Sequence, residues 1–346
     1  MKRRLAICIG AFEYGGQGQV VSEELTHLQD RYRTSLIAHR INREVPPGIE
    51  ATVIPYPQAM PRPSASLVAL LRTFDLIHCH DSFQLMRAAS RSGRPWVVTA
   101  HGICPPRHRN STVSAFSAAA TTWLYPRLYA RANQVVAISD YVCAWLRTLR
   151  LMNPLVIRNG VNVASQERPA HGPQPLNLLY VGEISRRKGI DVLLDAMRIC
   201  PITVSLVAVG RGEVERYRAI VNKDPLLLGR VIFTGELSSG ELQLAYERAF
   251  AVFSASYWEG FGLPIIEGFA HGIPALVRCQ GGLEELIRLS GGGLCFETLE
   301  SIPRLLDILQ HDWDKLCVAA FNYAIANPWS NTFDQYDALF QNLLSQ

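Results

Sequence analysis

Along the first 160 positions, short apolar runs alternate with longer stretches in which apolar residues recur every three or four places. Residues 5–10, 35–38, 51–54, 76–78, 96–100, 134–138 and 155–157 form the runs, and 19–30, 64–73, 83–92, 111–130 and 141–149 carry the helical period. Strands alternating with helices predict a parallel sheet covered on both faces. Residues 164–175 break the pattern with turn formers and polar side chains, which marks a linker. Beyond it the alternation resumes, with strands at 177–181, 203–209, 231–233, 251–254 and 274–277.

The expected architecture is α/β, with two doubly wound, Rossmann-like domains at 1–164 and 176–328 facing a cleft. In such sheets ligands bind beyond the carboxyl ends of the strands. Residues 329–346 form a C-terminal helix with Trp329, Phe333, Tyr336, Leu339 and Phe340 along one stripe. A stripe of this kind packs, and a helix crossing back to the N-terminal domain would bury it.

Composition adds bounds. A chain of 346 residues, 48% hydrophobic and 18% charged, is an ordered protein long enough for two domains. The first residues resemble a signal peptide, but the apolar run is short and Glu13 soon follows, so a buried first strand is the better reading. No apolar stretch approaches the roughly 18 to 20 residues of a membrane-spanning helix. The eight cysteines have no paired spacing, which argues for reduced thiols in the cytoplasm rather than disulfides or zinc. Charge is uneven: residues 1–160 carry 19 Lys and Arg against 9 Asp and Glu, the remainder 15 against 21. A basic, Arg-rich first half fits an anionic substrate or peripheral contact with an anionic membrane, and equally a solvated face.

The densest chemistry begins where the 251–254 run gives way to a helix. Gly260-Phe261-Gly262 lets backbone approach a ligand closely, and Pro264 suits a first helical turn. Amides at a helix start, with the positive end of the dipole, suit a diphosphate. Glu259 precedes this turn and Glu267 lies in the helix, so both carboxylates can accept hydrogen bonds from hydroxyl groups of one ligand. A plain helix start flanked by acids would need neither the two glycines nor a carboxylate outside the helix.

Glu259-x7-Glu267, preceded by Tyr257-Trp258 and followed by Gly268-Phe-Ala-His-Gly-Ile-Pro-Ala275, resembles the signature of retaining glycosyltransferase family 4, which has the GT-B fold. The resemblance covers nearly the whole chain. It implies that Glu259 contacts the hydroxyls of the transferred sugar, with the amides of Gly260, Phe261 and Gly262 close by, and that Glu267 holds the nucleotide ribose. The turn Tyr180-Val-Gly-Glu-Ile-Ser-Arg-Arg-Lys-Gly189 matches the family's Gly-Arg-x4-Lys-Gly, in which Arg and Lys neutralise the donor diphosphate. Lys188 fits; the arginine position holds Glu183, an acid that would repel a diphosphate. Either Arg186 or Arg187 supplies the missing charge, or Glu183 points away, or donor binding is weakened; compensation is the favoured reading. Gly210 resembles the family's nucleotide-lining glycine, and Leu237 its base-addressing loop. Gly281-Gly282 with Glu284 and Glu285 matches a family feature and equally a helix start. In the first half, the Tyr14–Gly18 turn places Gly16 where the family puts donor phosphate and acceptor. The turn lacks the G-x-G-x-x-G spacing of a nicotinamide enzyme. The resemblance makes His101, which ends a strand before Gly102, a sugar or acceptor contact, with Asp81 similarly placed; Ser139 and the Arg158-Asn-Gly-Val161 segment also match the family pattern, as structural residues at the cleft rim.

The resulting expectation is a retaining, metal-independent hexosyltransferase. It would move sugar from a UDP- or GDP-sugar to a hydroxyl of a glycan, a lipid-linked or a small-molecule acceptor, in polysaccharide or glycolipid synthesis. No carboxylate nucleophile is evident, so the acceptor would attack from the face the nucleotide leaves, with Lys188 and the arginines meeting the developing charge. Glu259, Lys188 and His101 are the catalytic candidates. No cofactor, metal or nucleic acid is expected; acceptor loops are placed at 104–114 and 45–66. The alternatives are a GT-B-type sugar-nucleotide epimerase and, because of Glu183, a non-catalytic subunit.

Overall fold

The computed structural model describes residues 2–55, 63–102, 124–151, 153–163 and 176–346. The linker at 164–175, most of the helical stretch at 111–130, and loop 104–114 lie outside these residues, as does part of 45–66. The chain forms two compact units. One is built from the described residues up to Asn159 together with Trp329–Gln346; the other runs from Gly160 to Pro328.

The first unit holds seven parallel strands: β1 (Arg4–Phe12), β2 (Arg33–Ile41), β3 (Glu50–Val53), β4 (Leu76–His80), β5 (Trp96–Ala100), β6 (Gln134–Ala137) and β7 (Leu155–Val156). Their order is β3-β2-β1-β4-β5-β6-β7. Leu5–Ile9 and all of β4 and β5 are buried, as apolar runs covered by helices on both faces must be. The order reverses between β1 and β4, so the loops leaving these two strands diverge and open a crevice at their carboxyl ends. The C-terminal helix Trp329–Ser345 packs on helix Gly16–Leu28 and completes this unit. Trp329, Phe333, Tyr336 and Phe340 are buried, and Leu339 is half-buried. Tyr336 and Phe340 lie 5.0 and 5.4 Å, ring to ring, from His78.

The second unit holds β8 (Asn177–Val181), β9 (Ser205–Val209), β10 (Val231–Gly235), β11 (Ala251–Ser254), β12 (Ala275–Arg278) and β13 (Gly293–Phe296), all parallel, in the order β10-β9-β8-β11-β12-β13. Here the order reverses between β8 and β11. A bridge pairs Val161 with Pro328, so the chain comes into this unit and leaves it at one place. No disulfide joins the described cysteines. No helix among the described residues is long and apolar enough to cross a membrane.

Candidate active site

The reversal between β8 and β11 determines which side chains meet in the second unit. Beyond β8 the chain runs through Gly182 and Ile184 into a single 3-10 turn, Arg186–Lys188, then Gly189 and helix Ile190–Ile199. Beyond β11 it runs through Tyr257 and Glu259 to Gly262, the cap of helix Leu263–Ala270. The two loops are clipped together: the Tyr257 amide donates to Arg187 O at 3.1 Å. A Cβ on Gly189 would lie 2.1 Å from Ala255 O, so only glycine lets the backbones approach this closely. Lys188 Nζ consequently reaches Glu259 Oε2 at 2.5 Å, with 18% and 23% of the two side chains exposed. A third loop braces the acid, because the Gly282 amide donates to Glu259 O at 3.0 Å. Gly281–Ser290 is a helix. Its second glycine is required by contact, since a Cβ on Gly282 would sit 2.4 Å from Gly260 O.

The acid at position 183 is answered inside its own turn. Arg187 Nη2 donates to Glu183 Oε2 at 2.6 Å. Arg186 is 77% exposed and lies 3.8 Å from Asp191. The cation for Glu183 is thus Arg187, and Lys188 is the residue of this turn aimed at Glu259.

Glu267, on the helix that Gly262 caps, accepts a 2.9 Å hydrogen bond from the Tyr246 hydroxyl. Tyr246 is buried and stacks on His271 at 5.3 Å, which fixes the hydroxyl and through it the carboxylate. Sequence reasoning missed Tyr246: it lies on helix Ser239–Glu247, a turn of chain away from any motif. Phe261 is 4% exposed and packs inward, leaving its backbone as the part able to face a ligand. Gly210 donates its amide to Gly235 O at 2.9 Å. Together with Arg211, Glu213, Arg218 and Glu236 these glycines line an open cavity of about 560 Å³. Leu237 follows Glu236 at its edge and is half-buried.

In the first unit the candidates cluster at the reversal between β1 and β4. Gly16 opens helix Gly16–Leu28, and the neighbouring Gln17 donates to His80 O at 3.2 Å. The His101 amide, just past β5, donates to Asp81 Oδ2 at 2.7 Å, and Tyr129 donates to the other carboxylate oxygen. Asp81 therefore anchors backbone, and its φ of 44° is a left-handed conformation that a short polar side chain tolerates. Burial pushes the Asp81 carboxyl up to about 6, against these two donors, which favour the anion. A raised acid retains protons that the unfolded chain has already released. The group therefore costs stability as pH climbs from the ordinary value of 3.8 through about 6. Asp81→Asn keeps an acceptor and has no charge to bury. Its melting temperature relative to the parent should rise between about pH 4 and pH 7; parallel curves would refute the assignment.

Burial, followed by the neighbouring His80 and His78, holds His101 well below the usual histidine range, so its ring is neutral. Its Nε2 lies 2.9 Å from His80 Nδ1. Behind His80 stand Glu24 and His78, both 0% exposed. None of these three emerged from the sequence as a functional residue. Only the alternation in Ile77-His-Cys-His80 places the two histidines on one face of β4.

Residues 14–165 match the family described as Glycosyltransferase Family 4, and residues 164–325 match Glycosyl transferases group 1. Among curated relatives, glycogen synthase of Mycobacterium tuberculosis is 28% identical over 225 residues, 62% of this chain and 54% of the relative. The chain thus spans about half the length of that protein. D-inositol 3-phosphate glycosyltransferase of Mycolicibacterium vanbaalenii is 28% identical over 295 residues, 75% of this chain and 65% of the relative. Among solved structures, Anabaena Alr3699/HepE in complex with UDP and glucose superposes with a TM-score of 0.79 at 18% identity, covering 98% of this chain and 100% of that one.

Proposed function

The chain belongs to glycosyltransferase family 4 and has the GT-B fold, and from that premise we propose that it transfers a sugar from a nucleoside-diphosphate sugar to a hydroxyl acceptor with retention at the anomeric carbon. The observation that carries this reading is the Lys188–Glu259 pair at the start of a glycine-capped helix, at the strand-order reversal of the second unit. The ammonium and the amides of residues 260–262 meet the donor diphosphate, and Glu259 accepts hydrogen bonds from the sugar hydroxyls. Glu267 takes the ribose hydroxyls, and the cavity at Gly210 takes the rest of the nucleoside. The likeness to Anabaena Alr3699/HepE, solved in complex with UDP and glucose, supports this class of donor.

As the bond to the diphosphate breaks, the acceptor oxygen adds from the same face and its proton passes to a leaving phosphate oxygen. Negative charge grows on the phosphate, and Lys188 is already held there in a partly buried site, where a fixed cation is worth most. Arg186 adds a mobile charge; Arg187 is committed to Glu183. Fixed cations take the part a divalent metal would play, so the reaction proceeds without one. The Arg187 partner of Glu183 neutralises that acid and so lessens the repulsion that favoured a non-catalytic subunit. The first unit receives the acceptor, and its Arg-rich sequence suits an anionic or lipid-linked acceptor at the cytoplasmic membrane face.

The test is a melting-temperature panel of UDP, GDP, ADP and their sugars, with and without a chelator, followed by NMR of the product anomer. A ligand that binds only the folded chain raises its melting temperature. No response to any nucleotide, or an inverted anomer, would sink the proposal. Within it, Tyr246→Phe removes one of the hydrogen bonds that orient Glu267 and should raise the donor KM about fivefold to tenfold with kcat nearly unchanged, the value of one hydrogen bond.

A further inference from the structure

Six polar side chains of the first unit hydrogen-bond end to end, from Tyr336 to His101. Tyr336 Oη lies 2.7 Å from Thr99 Oγ1, which lies 2.7 Å from His78 Nε2. His78 Nδ1 is 2.6 Å from Glu24 Oε1, and the other carboxylate oxygen is 2.7 Å from His80 Nε2. His80 Nδ1 then meets His101 Nε2 at 2.9 Å. Both contacts to the carboxylate come from histidine nitrogens on one face of β4.

The protons in this chain have one consistent arrangement. Burial alone would raise Glu24, but its two hydrogen-bonded partners, His78 and His80, outweigh burial and hold the acid at about 2. A carboxylate only accepts, so both histidines donate to it: His78 through Nδ1–H and His80 through Nε2–H. A neutral imidazole protonated at Nε2 has a bare Nδ1. That bare nitrogen faces His101 Nε2, so His101 must donate there, and its own Nδ1 carries a lone pair. Charging His80 instead would bury a cation, and burial and the neighbouring His78 both oppose it. Among the described residues no partner occupies His101 Nδ1, and the residue is only half-buried.

We propose that Glu24, acting through His80, fixes the tautomer of His101 and so presents Nδ1 as a hydrogen-bond acceptor to a sugar or acceptor hydroxyl. What His101 meets rests on the glycosyl-transfer reading; the tautomer does not. Glu24 and His80 are positioning residues, coupled to the C-terminal helix through Thr99 and Tyr336.

The test uses the full chain with ¹⁵N-labelled histidine and long-range ¹H–¹⁵N spectra at about pH 7.5, the His101 signals being identified by their loss in His101→Gln. In the parent protein both His80 and His101 should show a protonated Nε2 and a bare Nδ1. His80→Phe keeps a ring but removes the link, so His101 should average between tautomers, and kcat should fall about tenfold with the nucleotide-induced melting shift unchanged. Thr99→Val cuts the chain on the far side of His78 and should leave the His101 pattern intact. A protonated Nδ1 on His101 in the parent, or an unaltered pattern in His80→Phe, would overturn the proposal. So would one equivalent of bound transition metal, because the ligand atoms of Glu24, His78 and His80 lie within 4.8 Å of one another and could grip one. Should His80→Phe fail to fold, the parent spectrum still decides. Absence of sugar transfer alongside the stated tautomers would fault the functional reading and leave the relay standing.

Discussion

Lys188→Ala should lower kcat by about 10²- to 10³-fold, the range observed when one preorganised donor to a developing anion is removed. Two effects add. The diphosphate loses the ammonium, and Glu259, whose partner stood 2.5 Å away, becomes an unpaired carboxylate beside it. Lys188→Arg keeps the charge but spreads it over a planar fork, and should recover part of the rate. Steady-state kinetics with the donor identified by the melting panel supplies the check, together with the melting temperature of each variant. The Lys188 side chain is only one-fifth exposed and its removal leaves Glu259 unpaired, so Lys188→Ala should also lower stability, by about 1 to 3 kcal/mol. An alanine variant with the parent's rate would remove Lys188 from the chemistry and with it the main support for a diphosphate donor.

Gly189→Ala should be the most destabilising of the substitutions considered, by about 3 kcal/mol or more. A methyl group there meets the Ala255 carbonyl oxygen at 2.1 Å, on a backbone with φ of 76°. The left-handed conformation costs a non-glycine residue about 1 kcal/mol, and forcing two backbones apart costs about 1 to 3 kcal/mol more. Gly291→Ala is the control. It carries the same conformational penalty at φ of 64°, but its nearest neighbour, the Ala319 methyl, is 3.9 Å away. Equal losses in the two variants, read by denaturant titration of the intact chain, would show that the close approach of the loops after β8 and β11 is not tightly held. The expected difference also predicts that Gly189→Ala loses activity even in whatever fraction folds, because the same contact sets the reach from Lys188 to Glu259.

The elements and the two loops that bring Lys188 to Glu259 were largely legible in the sequence because each rests on a local pattern. Apolar runs of strand length, glycine before a helix, and a lysine before glycine all declare themselves within ten residues. β13 did not: Gly291-Gly-Gly-Leu-Cys-Phe296 reads as a turn. It is nonetheless a strand at the edge of the sheet, whose first residue is glycine because a Cβ there would lie 2.2 Å from Ala275 O. Glu183 was legible as an acid in a basic turn but its partner was not, since the pairing with Arg187 depends on the 3-10 turn that begins at Arg186. The network from Tyr336 to His101 was least visible of all. Glu24 is 54 positions from His78, and Tyr336 is 237 from Thr99. Nothing in the local spacing of either end marks the other, and a buried glutamate on an otherwise apolar helix face looks like an error until its partners are placed.

The C-terminal helix belongs to the first unit although the whole second unit is encoded before it. During synthesis, Gly160–Pro328 can emerge and collapse as a continuous segment, while the sheet that began at Arg4 still lacks Tyr336 and Phe340 over His78. Until residue 340 leaves the ribosome, His78 lacks the two rings that pack against it. Completion of the earlier-made unit is thus the later event, a long-range closure that slows folding and leaves the nascent chain dependent on protection from its neighbours.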